Sequence, residues 1–289
     1  MSEQELVFTG ERFLPDCERE IWYEHYHRYA MASHWVEGKD VLDAACGEGY
    51  GSHLLAQQAN SVTGVDIDPQ AIAHAQKTYQ QDHLTFITSD VLTLPLESDT
   101  YDVIVSFETL EHLSEHQQLL AEFKRVLKPG GVLLISTPDK REYSDKTGFD
   151  NEYHVRELYR EEFEQLINSN FSHSQWFGQK LMFSSNIWRL DQPANRLQQD
   201  HMVNQQLTDG AGFAPMYYVV AASDQPMTEA NHPDAYQFTE QDETVYGHYN
   251  AVIRAHIKAE QDCMALQNRQ ERWLSHPLIG RLIKWFGKE

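Results

Sequence analysis

The 289-residue chain carries 44 acidic against 23 basic side chains, a formal net charge of −21, and so repels the phosphate backbones that nucleic-acid-binding proteins neutralise with lysine and arginine. Its three cysteines, Cys17, Cys46 and Cys263, are too scattered for a disulfide framework or a C-x-x-C metal pair. No stretch reaches the length of a membrane span, and the acidic start Met1–Glu5 is not followed by a signal peptide's apolar run, which predicts a protein of the reducing cytoplasm.

A chain of this length can bury one full α/β core and carry one smaller appendage. The amino-terminal arm, residues 1–36, contains Thr9-Gly10-Glu11-Arg12 and then a predicted helix from about Cys17 to Val36. That helix is dense in rings: Trp22, Tyr23, His25, Tyr26, His27, Tyr29, His34 and Trp35. It could cover a ligand pocket or pack on a sheet as an ordinary element; spacing alone fits both.

The next segment, Val41-Leu42-Asp43-Ala44-Ala45-Cys46-Gly47-Glu48-Gly49-Tyr50-Gly51, reads as a strand entering a glycine turn. Glycine is needed where a sharp turn takes positive φ or where a side chain would hold the backbone away from a ligand. Cys46 inside the turn is explained by its small size. Gly64-Val65-Asp66-Ile67-Asp68 then ends a second strand in a carboxylate able to accept both hydroxyls of a ribose. A dinucleotide fingerprint, G-x-G-x-x-G, needs a third glycine for close packing of helix on strand. Here the pattern is G-x-G-x-G, and Ser52 stands in that third place.

Asp68-Pro69 predicts a helix start, with Asp68 as N-cap and proline at the first helical position. Leu84 to Thr88 is a short apolar strand leading into Ser89-Asp90-Val91, and Tyr101 to Phe107 is a near-continuous apolar run, as suits a strand covered on both faces. After Glu108-Thr109-Leu110-Glu111-His112-Leu113, the tetrad Ser114-Glu115-His116-Gln117 predicts a capping box and a helix from near Glu115 to about Leu127. Pro129-Gly130 turns the chain into a strand from Val132 to Thr137. This βαβ rhythm implies a parallel sheet with helices on both faces and ligands at the strands' carboxyl ends.

In this order, over roughly residues 37–140, these motifs resemble the class I S-adenosylmethionine-dependent methyltransferases, Asp43 matching the acidic residue before their glycine turn. The resemblance implies an α/β, Rossmann-like, doubly wound, seven-stranded and mostly parallel sheet with a reversed last strand, here followed by a C-terminal helical extension. It implies S-adenosyl-L-methionine as cofactor, held by Asp43, Gly47, Gly49, Asp66, Ile67, Asp90, Val91 and Phe107. Asp90 would lie at the adenine amino group and the Val91 backbone at the ring. Asp68 is explained by capping alone.

Beyond Pro138, Arg160 to Ile167 reads as a helix, and Phe171 to Gln179 and Met216 to Ser223 read as strands that suit the family's reversed final hairpin. The methyltransferase domain is thus expected over 37–225, with a polar insertion at about 180–215 near the acceptor site. Residues 226–289 form the extension. Within it Thr239 to Trp273 predicts one long helix, with Thr239 as N-cap and Asp242 reaching back. Val245, Tyr249, Val252, Ala259, Cys263, Leu266 and Trp273 follow a heptad-like spacing that fits either a homodimer through this helix or packing on its own domain. The tail Leu278 to Phe286, with Arg281 and Lys284, is a basic amphipathic helix suited to a membrane surface or a partner, and the net charge opposes the membrane.

Methyl transfer is an in-line displacement for which the protein supplies positioning and, for a hydroxyl acceptor, a general base, most often histidine. His112 and His154 are the candidate catalytic bases; each could instead anchor its loop. Tyr153, Arg156 and Arg141 are candidate substrate-binding residues, on a rim with Asp139, Lys140 and Tyr143. His112-Leu113-Ser114-Glu115-His116 also spells H-x-x-E-H, known from zinc peptidases, but a helix starting inside the motif separates its ligands, so no metal is expected. Three further segments, Thr9-Gly10-Glu11-Arg12, Glu24-His25-Tyr26-His27-Arg28-Tyr29 and His154-Val155-Arg156-Glu157, resemble bacterial methyltransferases associated with surface polysaccharides. That resemblance implies a small-molecule or glycan acceptor, most simply a sugar hydroxyl on a nucleotide-linked or lipid-linked glycan. Alternatives are an amino sugar, a small metabolite or quinone precursor, or a non-catalytic module that binds the cofactor for assembly. A quinone precursor would require apolar walls, a sugar polar and aromatic ones.

Overall fold

The computed structural model describes residues 20–187, 189–191, 200–203, 206–209, 213–227 and 232–277. The Thr9–Arg12 segment, the predicted helix start at Cys17 and the amphipathic tail lie outside them. The chain divides into two units, Met1–Phe238 and Thr239–Glu289.

The first unit is built on a seven-stranded sheet. Its strands are β1 (Asp40–Ala44), β2 (Ser61–Asp66), β3 (Leu84–Thr88), β4 (Tyr101–Ser106), β5 (Leu127–Pro138), β6 (His173–Gln179) and, after the excursion described below, β9 (Tyr217–Ser223). The spatial order is β3-β2-β1-β4-β5-β9-β6. Ladders from β3 through to β5 are parallel, and β9 runs antiparallel to both neighbours. This is the expected mostly parallel sheet with a reversed last strand.

Successive side chains of a strand point to opposite faces, and both faces here are apolar. Val41, Val103, Val105 and Leu134 face one cluster, while Leu42, Ile104, Leu133 and Ile135 face the other. The first cluster is covered by α1 (Glu20–Ser33), α2 (Tyr50–Leu55) and α3 (Pro69–Thr78), through residues such as Tyr29, Met31, Leu55 and Ile72. The second is covered by α4 (His116–Val126) and α5 (Arg160–Asn170), through Leu119, Phe123, Phe163 and Ile167. A sheet sandwiched this way has near-continuous apolar strands, which is why they were legible.

One local expectation changes. Ser114 does not cap α4: Glu115 takes the N-cap position without a side-chain cap, and the Ser114 hydroxyl donates to the Glu115 carboxylate instead, at 2.8 Å. Asp68 does cap α3, accepting from the Gln70 amide at 2.8 Å, with Pro69 as first helical residue. Between β6 and β9 lies a small antiparallel pair, β7 (Asp200–Val203) and β8 (Gln206–Asp209), within the segment expected as an insertion.

The second unit contains α6 (Thr244–Ser275). It begins five residues after the anticipated Thr239 cap; Glu243 occupies the N-cap with φ 50°. Among the described residues no helix is long and apolar enough to cross a membrane.

Candidate active site

The parallel strands deliver two groups of residues to the carboxyl edge of the sheet. The first surrounds the glycine turn. Ala45, Gly47 and Gly49 all have positive φ, 61°, 58° and 94°, so the chain reverses tightly between β1 and α2. A non-glycine residue in the left-handed region costs about 1 kcal/mol or more, which Ala45 bears at the ligand-facing end of the sheet. A Cβ on Gly49 would lie 2.8 Å from the Ala75 side chain and from the Phe86 ring.

Asp66 closes the turn from the end of β2. One carboxylate oxygen accepts from the Gly47 amide and the other from the Asp68 amide, both at 2.9 Å. A carboxylate has about four acceptor positions, so these bonds orient it without exhausting it. Ile67 beside it is 69% exposed, an apolar surface at the sheet edge next to an oriented acid. That pairing suits a ribose with an adenine beside it. Asp90, after β3, accepts from the Leu92 amide at 2.8 Å, and Val91 is buried in the second cluster. Phe107, at the end of β4, is buried with its ring edge-on to Tyr29 at 5.3 Å.

Asp43 sits deeper. It is fully buried and accepts from the Tyr29 hydroxyl at 3.0 Å and the Ser52 hydroxyl at 2.6 Å. It thereby ties α1 and α2 to β1 beneath the turn. Burial drives its pKa up to about 6 against the pull of those two hydrogen bonds. Ser52 fits because the opposing strand residue is Gly64, where a Cβ would stand 2.8 Å from the serine oxygen. Close helix-on-strand packing is kept, with the glycine on the strand side.

The second group lies beyond β4 and β5 and is where sequence reasoning found least. Arg28 of α1 is 2% exposed. It donates to the Gln179 side chain at 2.8 Å, lies 3.9 Å from the Glu108 carboxylate, and stacks 5.1 Å over the Tyr217 ring. The Tyr217 hydroxyl donates to Glu24 at 3.1 Å. Burial pushes the Glu24 carboxyl up to about 7, opposed by Arg28 and by the Tyr217 bond. Glu108 has φ 50° and accepts from the Ser136 hydroxyl at 2.6 Å. Glu111, buried next to it, accepts from Thr137 at 3.1 Å, and burial together with Glu108 raises its carboxyl well above the ordinary range. Glu24 and Arg28 belong to the Glu24–Tyr29 segment quoted above, but the sequence gives none of these residues a role at a site. The available signal was the pair of acids Glu108 and Glu111 at a strand end where loops meet ligands.

His112 and His154 come together here, their rings edge-to-face at 5.2 Å. The loop carrying His154 leaves β5 and returns at an Asp139–Leu158 bridge. It is pinned to the turn after β4 by the Val155 and Arg156 amides, which donate to the Glu111 carbonyl at 2.8 and 2.9 Å. Tyr143 stacks on His154 at 5.3 Å and lies 6.0 Å from the Tyr217 ring. Tyr153 reaches this group through its carbonyl, which accepts from His112 Nδ1 at 2.9 Å. Arg156 instead lines a cleft of about 580 Å³ between α4 and α5, with Ser114, His116 and Glu162 among its neighbours. Arg141 is turned to Glu161, at 3.8 Å, and to the Tyr159 ring.

A glycine turn closed by an acid, set at the carboxyl edge of this sheet order, defines a class I methyltransferase fold. Residues 42–135 match the family described as Methyltransferase domain. The chain is 38% identical over 169 residues to a Mycolicibacterium smegmatis protein named a probable S-adenosylmethionine-dependent methyltransferase, covering 57% of this chain and 64% of that one. It is 35% identical over 104 residues to a Coxiella burnetii ubiquinone biosynthesis O-methyltransferase, covering 35% and 44%. The chain therefore spans less than two thirds of the length of the curated relatives it matches. Among solved structures, a methyltransferase-type chain from a Haloferax volcanii complex with the Trm112 methyltransferase activator superposes with a TM-score of 0.52 at 18% identity, over 71% of this chain and 90% of that one, a likeness of fold.

Proposed function

We propose that the whole chain is an S-adenosylmethionine-dependent methyltransferase acting on a hydroxyl oxygen, with a saccharide on a nucleotide-linked or lipid-linked carrier as its acceptor. When bound, S-adenosylmethionine supplies a methyl group on a sulfonium, a strong leaving group. Asp66 would hold the ribose hydroxyls, Ile67 the adenine face, and Asp90 with the Val91 backbone the adenine edge. The Gly47 and Gly49 turn leaves room for the amino-acid end. Asp43 acts from behind, through Tyr29 and Ser52, by keeping α1 and α2 in place.

The observation that carries the acceptor reading is the character of the second group. Glu24, Arg28, Glu108, Tyr143, Tyr217, His112 and His154 form polar and aromatic walls, which suit the hydroxyls and apolar face of a sugar ring. His112, His154 and Glu24 are the groups able to take the acceptor proton as the oxygen–methyl bond forms and the sulfonium bond breaks. A phenol of the quinone-precursor type is the second reading, favoured by the Coxiella burnetii relative. The heptad-like stripe of α6, with Val252, Leu266 and Trp273 exposed, supports pairing with a second copy.

The test is formation of S-adenosylhomocysteine with a panel of nucleotide sugars, lipid-linked sugars, amino sugars and catechols, with the product located by mass spectrometry. A methyl increment on a sugar oxygen is the expected result. Product only from phenols would replace the acceptor, and donor binding without product from any class would leave a binding module.

A further inference from the structure

We propose that Glu111, His112 and His154 form a binding site for a first-row divalent cation of the Zn²⁺ or Fe²⁺ type. One ligand atom of each residue lies within 4.8 Å of the other two. Ligands around such an ion stand about 3.0–3.4 Å apart, given bonds of about 2.1 Å, so closure requires side-chain movements on the order of 1 Å. Two imidazoles and a carboxylate form a donor set that favours these ions over magnesium or calcium, which take oxygen ligands.

The groups around the cluster are what such a site needs. A metal-bound imidazole donates its other ring N–H to a carbonyl or carboxylate, which fixes its tautomer and aim. His112 Nδ1 lies 2.9 Å from the Tyr153 carbonyl, which can only accept, so the proton resides on Nδ1 and the lone pair on Nε2. His154 Nδ1 meets the Glu157 carboxylate, with the same consequence. Glu157 is in turn held by the Ser144 hydroxyl at 2.6 Å, and Glu111 by Thr137 at 3.1 Å. The Val155 and Arg156 amides on the Glu111 carbonyl fix the distance between the two contributing segments. His112 and His154 are 42 positions apart in sequence, and the H-x-x-E-H spelling that draws the eye to metal pairs His112 with the wrong residue.

This inference rests on the methyltransferase reading for its purpose. A cation at this edge of the sheet would bind the acceptor oxygen and lower the pKa of its hydroxyl. The O–H bond then loses its proton to Glu24 or to solvent, the oxygen takes the methyl carbon, and the carbon–sulfur bond breaks. With the cation bound, the two imidazoles are ligands, and of the three proton acceptors named above Glu24 alone keeps that role.

Co²⁺ is the probe, titrated into the metal-stripped full chain without methyl donor, because its visible absorption reports imidazole and carboxylate ligation. One equivalent should bind and be displaced by Zn²⁺. His154→Gln and Glu111→Gln should each weaken binding at least tenfold, whereas His173→Gln, a histidine outside the cluster, should not. Near-ultraviolet circular dichroism and calorimetric titration with S-adenosylmethionine check that each variant is folded. His154→Gln, on a loop, keeps the test valid if the buried Glu111→Gln does not fold. Failure of the folded wild type to bind Co²⁺ while it binds the donor overturns the cation site. So does an unchanged Co²⁺ spectrum in His154→Gln. Loss of donor binding with the Co²⁺ site intact would instead remove the methyltransferase reading and leave the cation site standing.

Discussion

Replacing Asp43 with asparagine tests whether this acid is a structural tie or a direct cofactor ligand. Asp43 is fully buried, and burial raises its carboxyl from 3.8 to about 6. At 1.36 kcal/mol per unit, a difference of roughly two units corresponds to about 3 kcal/mol. The sign follows from where the proton is held more tightly. The folded carboxyl binds its proton better than the unfolded one, so its contribution to stability is full below about pH 4 and is lost as pH rises through about 6. Asparagine keeps the shape and an acceptor for Tyr29, but has no ionised form. Urea unfolding of both proteins across pH 4–7.5, with midpoints and slopes compared, should show the variant less stable at pH 4 by about 1–2 kcal/mol for the weakened hydrogen bonds. It should recover relative to wild type by up to about 3 kcal/mol by pH 7. Other raised acids, Glu24 among them, are common to both proteins and cancel in the difference. A difference that stays flat from pH 4 to 7 would refute the reasoning.

Asp66→Ala should lower affinity for S-adenosylmethionine at least tenfold by calorimetry while Asp43→Asn lowers it less, and equal losses would place both acids on the ligand. Glu24→Gln should remove a fall in kcat between about pH 8 and 6, since a carboxyl titrating near 7 is an active base only above that value; an identical profile in the variant excludes Glu24 from proton removal. Gly64→Ala brings a Cβ within 2.6 Å of the Phe86 ring and 2.8 Å of Ser52, and should cost about 1–3 kcal/mol in thermal or urea unfolding. A fully stable Gly64→Ala protein would mean that α2 can move away from β2 without penalty.

What could be read in advance was local. Strands buried on two faces must be apolar throughout, and a turn with three positive φ angles must be built mainly from glycine, so β1, β4, β5 and the turn after Ala44 declared themselves. The Asp68 cap was legible because its partner, Gln70, is two residues away. The Ser114 cap failed because its hydroxyl had an equally near competitor in Glu115. The acceptor-side group was hidden for the opposite reason. Arg28 finds Gln179 and Glu24 finds Tyr217 only once α1 lies on the sheet and β9 has inserted beside β5. No spacing rule joins α1 to strands that lie far along the chain.

The in-register antiparallel ladder from Gln179–Tyr217 to His173–Ser223 fixes both ends of the excursion between β6 and β9 side by side. Chain length there is thermodynamically cheap, since each doubling of a flexible loop adds only about 0.6 kcal/mol of closure entropy. Evolution, or a protein engineer, could therefore exchange that whole segment as a cassette without disturbing the ladder that carries it.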